Sequence, residues 1–345
     1  MAALLSEMEL RKDYLKGESV ETIYFGGGTP SLFSPGDHAA LIEKTHAIFK
    51  ISPTAEITLE TNPDDISEEK LKGWREAGIN RLSMGIQSFF EEDLKWMNRA
   101  HTAEQALDSL QSAVKYFNNI TVDLIYGTPL LTNEKLKKNI DRVIMEGIVH
   151  LSCYALTVEP KTPLYKLIKE QKTADIDPDK QSEQFLLLMQ WMEEAGYEHY
   201  EISNFAKPGF ISNHNWSYWN GKKYLGIGPS AHSFDGTSRQ WNISNNNIYT
   251  DSIEKGIIPY EKEILTPTQQ LNEYIMTSLR TMEGLDLNQV EDVVGHDLRT
   301  GSRKFIERGL IAEEKDHLKL TREGKLLADG IAAELFFEEI NKIVQ

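Results

Sequence analysis

The chain has one cysteine, Cys153, among 345 residues. That excludes an internal disulfide and any thiolate metal cage supplied by these residues alone. Basic side chains are scarce as well: 37 Lys and Arg stand against 53 Asp and Glu, a net charge of −16. Such an acidic excess argues against non-specific binding to nucleic acid or to an anionic membrane surface. No apolar run approaches the roughly 20 residues that span a bilayer, so no integral membrane segment is expected. The opening Met1–Leu10 lacks a basic region and its apolar run is short, so no secretion signal is expected and the cytoplasm is the default compartment. Low-complexity tracts and repeats of fixed period are missing too. What is there, 40% hydrophobic and 9% aromatic residues, suffices to bury a core. The length suits one barrel-sized domain of about 200–250 residues plus a smaller one.

The chain is organised around Thr22-Ile-Tyr-Phe-Gly-Gly-Gly-Thr-Pro30. Its strand-forming run suggests a strand buried on both faces, as in a parallel sheet. Three glycines then allow positive φ and close approach to a ligand, and their N–H groups suit a carboxylate or phosphate. Taken alone, the run reads first as a plain strand-to-helix turn. Residues 1–17 read as an amphipathic helix, with Leu4, Leu5, Met8 and Leu15 on one side and Glu7, Glu9, Arg11 and Lys12 on the other. Strand starts then fall near 22, 56, 81, 120, 150 and 199, with helical periods between them. That alternation predicts βα units and a parallel sheet over residues 1–245. Gly26–Thr29, Glu60, Thr61, Asn62, Gln87 and Asn204 fall at or just past strand ends, with Asp123 inside Val122-Asp-Leu-Ile. In an α/β barrel those ends form one mouth, where ligands bind. Individually, Glu60 serves as well to cap a helix and Asp123 to pair with a buried Arg; it is their number that points to a site.

The segment 205–241 is rich in aromatics and holds His214 and His232. It suits the wall of a flat hydrophobic ligand with a histidine on its metal, although the residues alone favour a core cluster in which His214 bonds a backbone carbonyl. Residues 262–345 form a distinct unit: helices over 268–281, 287–294 and 300–308, a strand pair at 310–313 and 318–321, and a last helix over 322–337. This is a winged-helix pattern. With 11 basic and 17 acidic residues over 261–345 its sign is wrong for a phosphate backbone, so packing or docking is expected, not nucleic acid.

Further motifs occur in order: Ile57-Thr-Leu-Glu-Thr-Asn-Pro63, Leu82-Ser-Met-Gly-Ile-Gln-Ser-Phe89, Asn98-Arg-Ala-His-Thr102, Val122-Asp-Leu-Ile-Tyr-Gly-Thr-Pro129, Leu151-Ser-Cys-Tyr-Ala-Leu-Thr-Val-Glu-Pro160 and Tyr200-Glu-Ile-Ser-Asn-Phe-Ala-Lys-Pro-Gly209. With the glycine stretch, the set resembles the oxygen-independent coproporphyrinogen III oxidase-like branch of the radical SAM superfamily. His214-Asn-Trp-Ser-Tyr-Trp219 is similar to the HNxxYW motif of its haem-chaperone members. The resemblance implies a partial, six-stranded α/β barrel with a carboxyl-terminal helical, winged-helix-like domain. It also implies S-adenosylmethionine (SAM), a [4Fe–4S] cluster and haem as cofactors. Gly27, Gly28 and Thr29 would face the methionine end of SAM, Glu60 its amino group or ribose, and Gln87, Arg99 and Asp123 the adjoining pocket. His214 would be the haem ligand, with His232 and Tyr218 as weaker candidates. Haem-acceptor proteins are the implied partners, and a homodimer is left open.

One departure goes with the match. The family carries a CxxxCxxC loop just ahead of the helix with which this chain begins, and these residues have no counterpart. The expectation is therefore a shortened form that neither holds the cluster nor cleaves SAM. Its first barrel strand would be missing, leaving Thr22–Phe25 as a bare sheet edge that destabilises the fold or is covered by a partner. The functions weighed are a haem chaperone, a coproporphyrinogen III oxidase that decarboxylates propionates, a winged-helix regulator and a phosphate-binding barrel without SAM.

Overall fold

The computed structural model describes residues 1–338. In chain order the first elements are α1 (Ala2–Leu10), β1 (Val20–Phe25), α2 (Pro35–Ile48), β2 (Ile51–Thr61), α3 (Glu68–Glu76), β3 (Arg81–Gln87), α4 (Glu91–Trp96), α5 (Ala103–Ala113), β4 (Ile120–Tyr126), α6 (Asn133–Met145), β5 (His150–Ala155), α7 (Pro163–Lys169), α8 (Pro178–Glu194), β6 (Glu198–Glu201) and β7 (Asn204–Ala206). Then come α9 (Asn213–Trp219), β8 (His232–Phe234), β9 (Ser238–Asn242), α10 (Asn246–Glu254), β10 (Tyr260–Ile264), α11 (Pro267–Leu279), β11 (Leu285–Asp286), α12 (Asp292–Glu307), β12 (Ile311–Glu314), β13 (His317–Leu320), α13 (Arg322–Lys325) and α14 (Ala328–Glu334).

The seven sheet strands lie in the order β1-β2-β3-β4-β5-β7-β6, so the sheet is open, with β1 and β6 as its edges. β2 to β5 pair in parallel. The expected sixth parallel strand near 199 is a hairpin instead: β7 inserts between β5 and β6, antiparallel to both. β1 lies at the edge and is half-buried along its length, not enclosed on both faces. Sharp helix starts help fix the βα units. Ser34 and Thr102 each close a capping box, with Asp37 and Gln105, which satisfies amide donors a first turn leaves orphaned.

Cross-strand register divides the sheet into a polar and an apolar face. Glu60 pairs with Ser83, Ser83 with Thr121, Asp123 with Ser152, and Ser152 with Asn204. The alternate residues Leu59, Leu82, Met84, Val122, Leu124 and Leu151 are at most 1% exposed. They form the apolar face, and α6 and α8 pack against β4. Burying each such side chain contributes about 1.5–3 kcal/mol.

By compactness the chain falls into two units: Met1–Ile23, Ser34–Glu56 and residues from Asn213 on, and, separately, Tyr24–Phe33 with Ile57–Ser212. The first contains the antiparallel sheet β10-β9-β8 and the ribbon β11-β13-β12 with α11 and α12 around it. The carboxyl-terminal region is helical as expected, and its winged-helix pattern changes in two places. Residues 287–294 are only a 3-10 turn at Leu287–Gln289, after which α12 runs unbroken from Asp292 through Thr300 to Glu307. The last helix is split at Leu326–Leu327 into α13 and α14.

The amphipathic reading of residues 1–17 needs a larger correction. α1 ends at Leu10, and Glu7 and Arg11, assigned to the wet side, are 0% and 5% exposed. Glu7 Oε1 accepts from Arg11 Nε (2.9 Å) and Asn242 Nδ2 (2.7 Å). Its Oε2 accepts from Gly228 N (2.8 Å) and Tyr249 Oη (2.6 Å). Arg11 also donates to Gln240 Oε1 and Asn242 Oδ1. A charge pair tolerates burial only when its remaining sites are filled in this way.

Candidate functional site

Within the unit containing most of the parallel sheet, the glycine turn and the strand ends come together. Gly27 and Gly28 adopt φ of 75° and 65°, a region that glycine enters without strain. This bends the chain so that Gly27 N donates to Glu60 Oε2 at 3.0 Å. Glu60 Oε1 accepts from Tyr24 Oη at 2.6 Å. Thr29 closes the turn as the residue before the 3-10 turn Pro30–Leu32. One strand over, Gln87 ends β3 at φ 67°, beside a register shift between Met84 and Gln87. A side chain at Gly85 would meet Gln87 Nε2 at 3.1 Å and Arg99 Nη2 at 3.4 Å, so both groups lie over that glycine. Arg99 Nη2 donates to Asn62 Oδ1 (3.2 Å) and Gly85 O (3.3 Å). Arg99 Nε is buried with no hydrogen-bond partner among the described residues.

Asp123 lies on the polar face, one strand from Ser152. Burial pushes its carboxyl up to about 7; Glu60 adds to the rise, while Ser152, Arg81 and Ser83 oppose it. Tyr24 is likewise driven far above its ordinary value, first by burial, then by the charge and hydrogen bond of Glu60 and by Asp123. The Arg99 guanidinium is lowered by burial and supported by Asp64 and Asp123. Gly27, Glu60, Gln87, Arg99 and Asp123 therefore share one electrostatic neighbourhood. Below them runs a second polar row: Arg81 donates to Thr121 Oγ1, Thr121 Oγ1 meets His150 Nδ1 at 3.0 Å, and His150 Nε2 meets Tyr200 Oη at 2.8 Å.

His214 belongs to the other unit. Its Nδ1 lies 3.0 Å from Thr22 Oγ1. The seven-residue α9 that carries it is held at its start by Glu56, whose Oε2 and Oε1 accept from Asn213 N (2.9 Å) and His214 N (3.1 Å). Tyr218, one turn on, stands edge-on to His214, with ring centroids 4.9 Å apart, and Tyr224 and Phe234 continue the row. This Nδ1 contact is to a hydroxyl and not to the backbone carbonyl that a core histidine would bond. His232, on β8, is exposed and neighbours Trp241, outside that row.

Sequence reasoning passed over Tyr24, Arg81, Thr22 and Glu56. A period-two signal was available for three of them. Thr22 and Tyr24 alternate along β1, as Thr58 with Glu60 and Arg81 with Ser83 do along their strands. Glu56 gives no such signal, since its partner lies 157 residues away.

The Radical SAM superfamily profile matches residues 4–143 and the HemN C-terminal domain profile residues 265–327. "Heme chaperone HemW" of Bacillus subtilis (strain 168) is 34% identical over 319 residues, 90% of this chain and 84% of that protein. "Heme chaperone HemW" of Mycobacterium tuberculosis (strain CDC 1551 / Oshkosh) is 32% identical over 337 residues, 97% and 85% respectively. Coproporphyrinogen III oxidase (HemN) from Escherichia coli, a solved structure described as a radical SAM enzyme, superposes with a TM-score of 0.83 at 24% identity, over 98% of this chain and 82% of that one. The chain belongs to the HemW-like branch of the radical SAM superfamily. Its fold is the expected partial α/β barrel with a helical carboxyl-terminal region. Among the described residues no helix is long and apolar enough to cross a membrane.

Proposed function

We propose that this chain binds haem through His214 and passes it to an acceptor protein, on a scaffold that keeps a SAM cradle. The observation that carries the reading is the anchoring of His214, with its ring held by Thr22 and its helix by Glu56. An imidazole fixed at one nitrogen and flanked by an aromatic row suits axial ligation of the iron in a flat macrocycle. The name shared by the relatives, heme chaperone, supports the same direction.

The residues of the cradle fit the methionine end of SAM. Gly28 and Thr29 would offer N–H groups to its carboxylate, with Gly27 giving close backbone approach. Glu60 would receive the ammonium, since its Tyr24 and Gly27 bonds fill only part of its acceptor capacity. Gln87, Arg99 and Asp123 would line the adjoining space, where the buried, unpartnered Arg99 Nε is a donor in search of an acceptor. When bound beside a reduced iron–sulfur cluster, SAM supplies a 5′-deoxyadenosyl radical. The residues present do not fit such a cluster. Their one thiol, Cys153, is 2% exposed in β5, and burial and Asp123 hold it well above its ordinary value.

Oxidation of coproporphyrinogen is the competing reading. A substrate with four carboxylates calls for uncommitted cations. Lys222 is paired with Glu21 at 2.7 Å, Lys223 with Glu18 at 2.5 Å, and Lys207 with the carbonyl of Ala195. This favours the carrier. The test is a hemin titration followed by the Soret band. His214→Ala should weaken binding and shift the band, and a titration indistinguishable from wild type removes the assignment.

A further inference from the structure

We propose that Thr22 is a positioning residue for the haem ligand, setting the tautomer and aim of His214 while Glu56 sets the height of its backbone. The inference rests on His214 being the ligand. A neutral imidazole that ligates iron through Nε2 must carry its proton on Nδ1. In this chain Nδ1 faces Thr22 Oγ1 at 3.0 Å, so with Nε2 on the iron the Nδ1 proton would be donated to that hydroxyl. The ring cannot then swing about its bond to Cβ without breaking the contact.

The backbone is fixed independently. A short helix has few internal bonds, and its first amides lack partners of their own. Glu56 is 6% exposed and accepts two of them, from Asn213 and His214, one on each oxygen. One strand residue therefore orients the ring, and one on β2 holds the turn that carries it. Neither contact lies in the SAM cradle.

The type of acceptor has a consequence for function. A carboxylate on Nδ1 would give the imidazole imidazolate character and strengthen the iron bond, as it does for buried metal-binding histidines. A neutral hydroxyl orients the ring with a smaller gain in basicity. Moderate ligand strength is the chemistry a carrier needs if it is to give its haem away.

The test uses the full chain, titrated with hemin, in wild type, Thr22→Val, Thr22→Ser and His214→Ala. Affinity is read from the Soret band, the iron–histidine stretch from resonance Raman of the reduced complexes, and folding from circular dichroism. Thr22→Val keeps the β-branched shape. It is expected to weaken haem binding about 10–100-fold, the usual effect of removing the outer partner of a ligating histidine, and to lower the stretching frequency. Thr22→Ser should restore both to near wild type, a rescue that a purely structural role in β1 would not tie to the iron–histidine signal. If Thr22→Val does not fold, Thr22→Ala takes its place. Wild-type affinity and frequency in the hydroxyl-free variant, while His214→Ala loses the band, overturns the inference and leaves the ligand assignment standing. Wild-type spectra in His214→Ala overturn that assignment itself.

Discussion

Replacing Asp123 with Asn should make the protein more stable, and more so as pH rises. Burial lifts the Asp123 carboxyl from 3.8 to about 7, with Glu60 adding to the rise and Ser152, Arg81 and Ser83 opposing it. Below about pH 4 the group is protonated whether the chain is folded or not, and it costs nothing. Between about 4 and 7 the unfolded chain releases the proton while the folded chain keeps it, so stability falls as pH rises. Above 7 the loss is complete. At about 1.4 kcal/mol per pH unit the full difference is on the order of 4 kcal/mol, and partial solvation of the half-buried side chain reduces it. Asn is neutral throughout: the Ser83 hydroxyl can donate to its carbonyl, and Ser152 Oγ, whose proton goes to Asn204, can accept from its amide. Urea unfolding at pH 5 and pH 8 reads the effect. The advantage of Asp123→Asn over wild type should grow by about 2 kcal/mol between the two pH values. An advantage that stays constant across that range would refute the argument.

Two further substitutions probe other parts of the molecule. Glu7→Ala removes the acceptor of four donors and leaves Arg11 buried without its charge partner. It should cost about 3–5 kcal/mol in urea unfolding, and a loss under about 1 kcal/mol would show that water replaces the network. Gly26→Ala places a Cβ 2.4 Å from Tyr24 Cε1 and 2.9 Å from Glu60 Oε1. It should displace the Tyr24–Glu60 pair and abolish measurable SAM binding by equilibrium dialysis, and undiminished binding would separate that pair from the cradle.

The parallel sheet was legible because β-branched runs alternate with helical periods, and four of the five strands from β1 to β5 begin within two residues of their expected starts; β2 starts at Ile51, five residues early. The cluster was legible because Glu60, Gln87 and Asp123 each fall on a recognisable strand and Gly27 in the turn just past one. The polar face was equally present in the sequence, in Thr58/Glu60, Arg81/Ser83, Thr121/Asp123 and His150/Ser152, but a search for apolar runs hides a two-residue alternation. The β6–β7 hairpin escaped because two short strands separated by Ile202 and Ser203 read as one. Glu7 and Arg11 were misassigned because helical periodicity places a charge on a face without saying what covers that face. Their partners, Gly228, Asn242 and Tyr249, come more than 220 residues later. Glu56 is silent for the same reason, its partner lying 157 residues on.

That separation matters for synthesis of the chain. Tyr249 follows Glu7 by 242 residues. At about 5–20 residues per second, a ribosome takes roughly 12–50 s to make the intervening stretch. Throughout that interval the Glu7 carboxylate stays hydrated, while α2 can already pack on the first helix and α10 cannot.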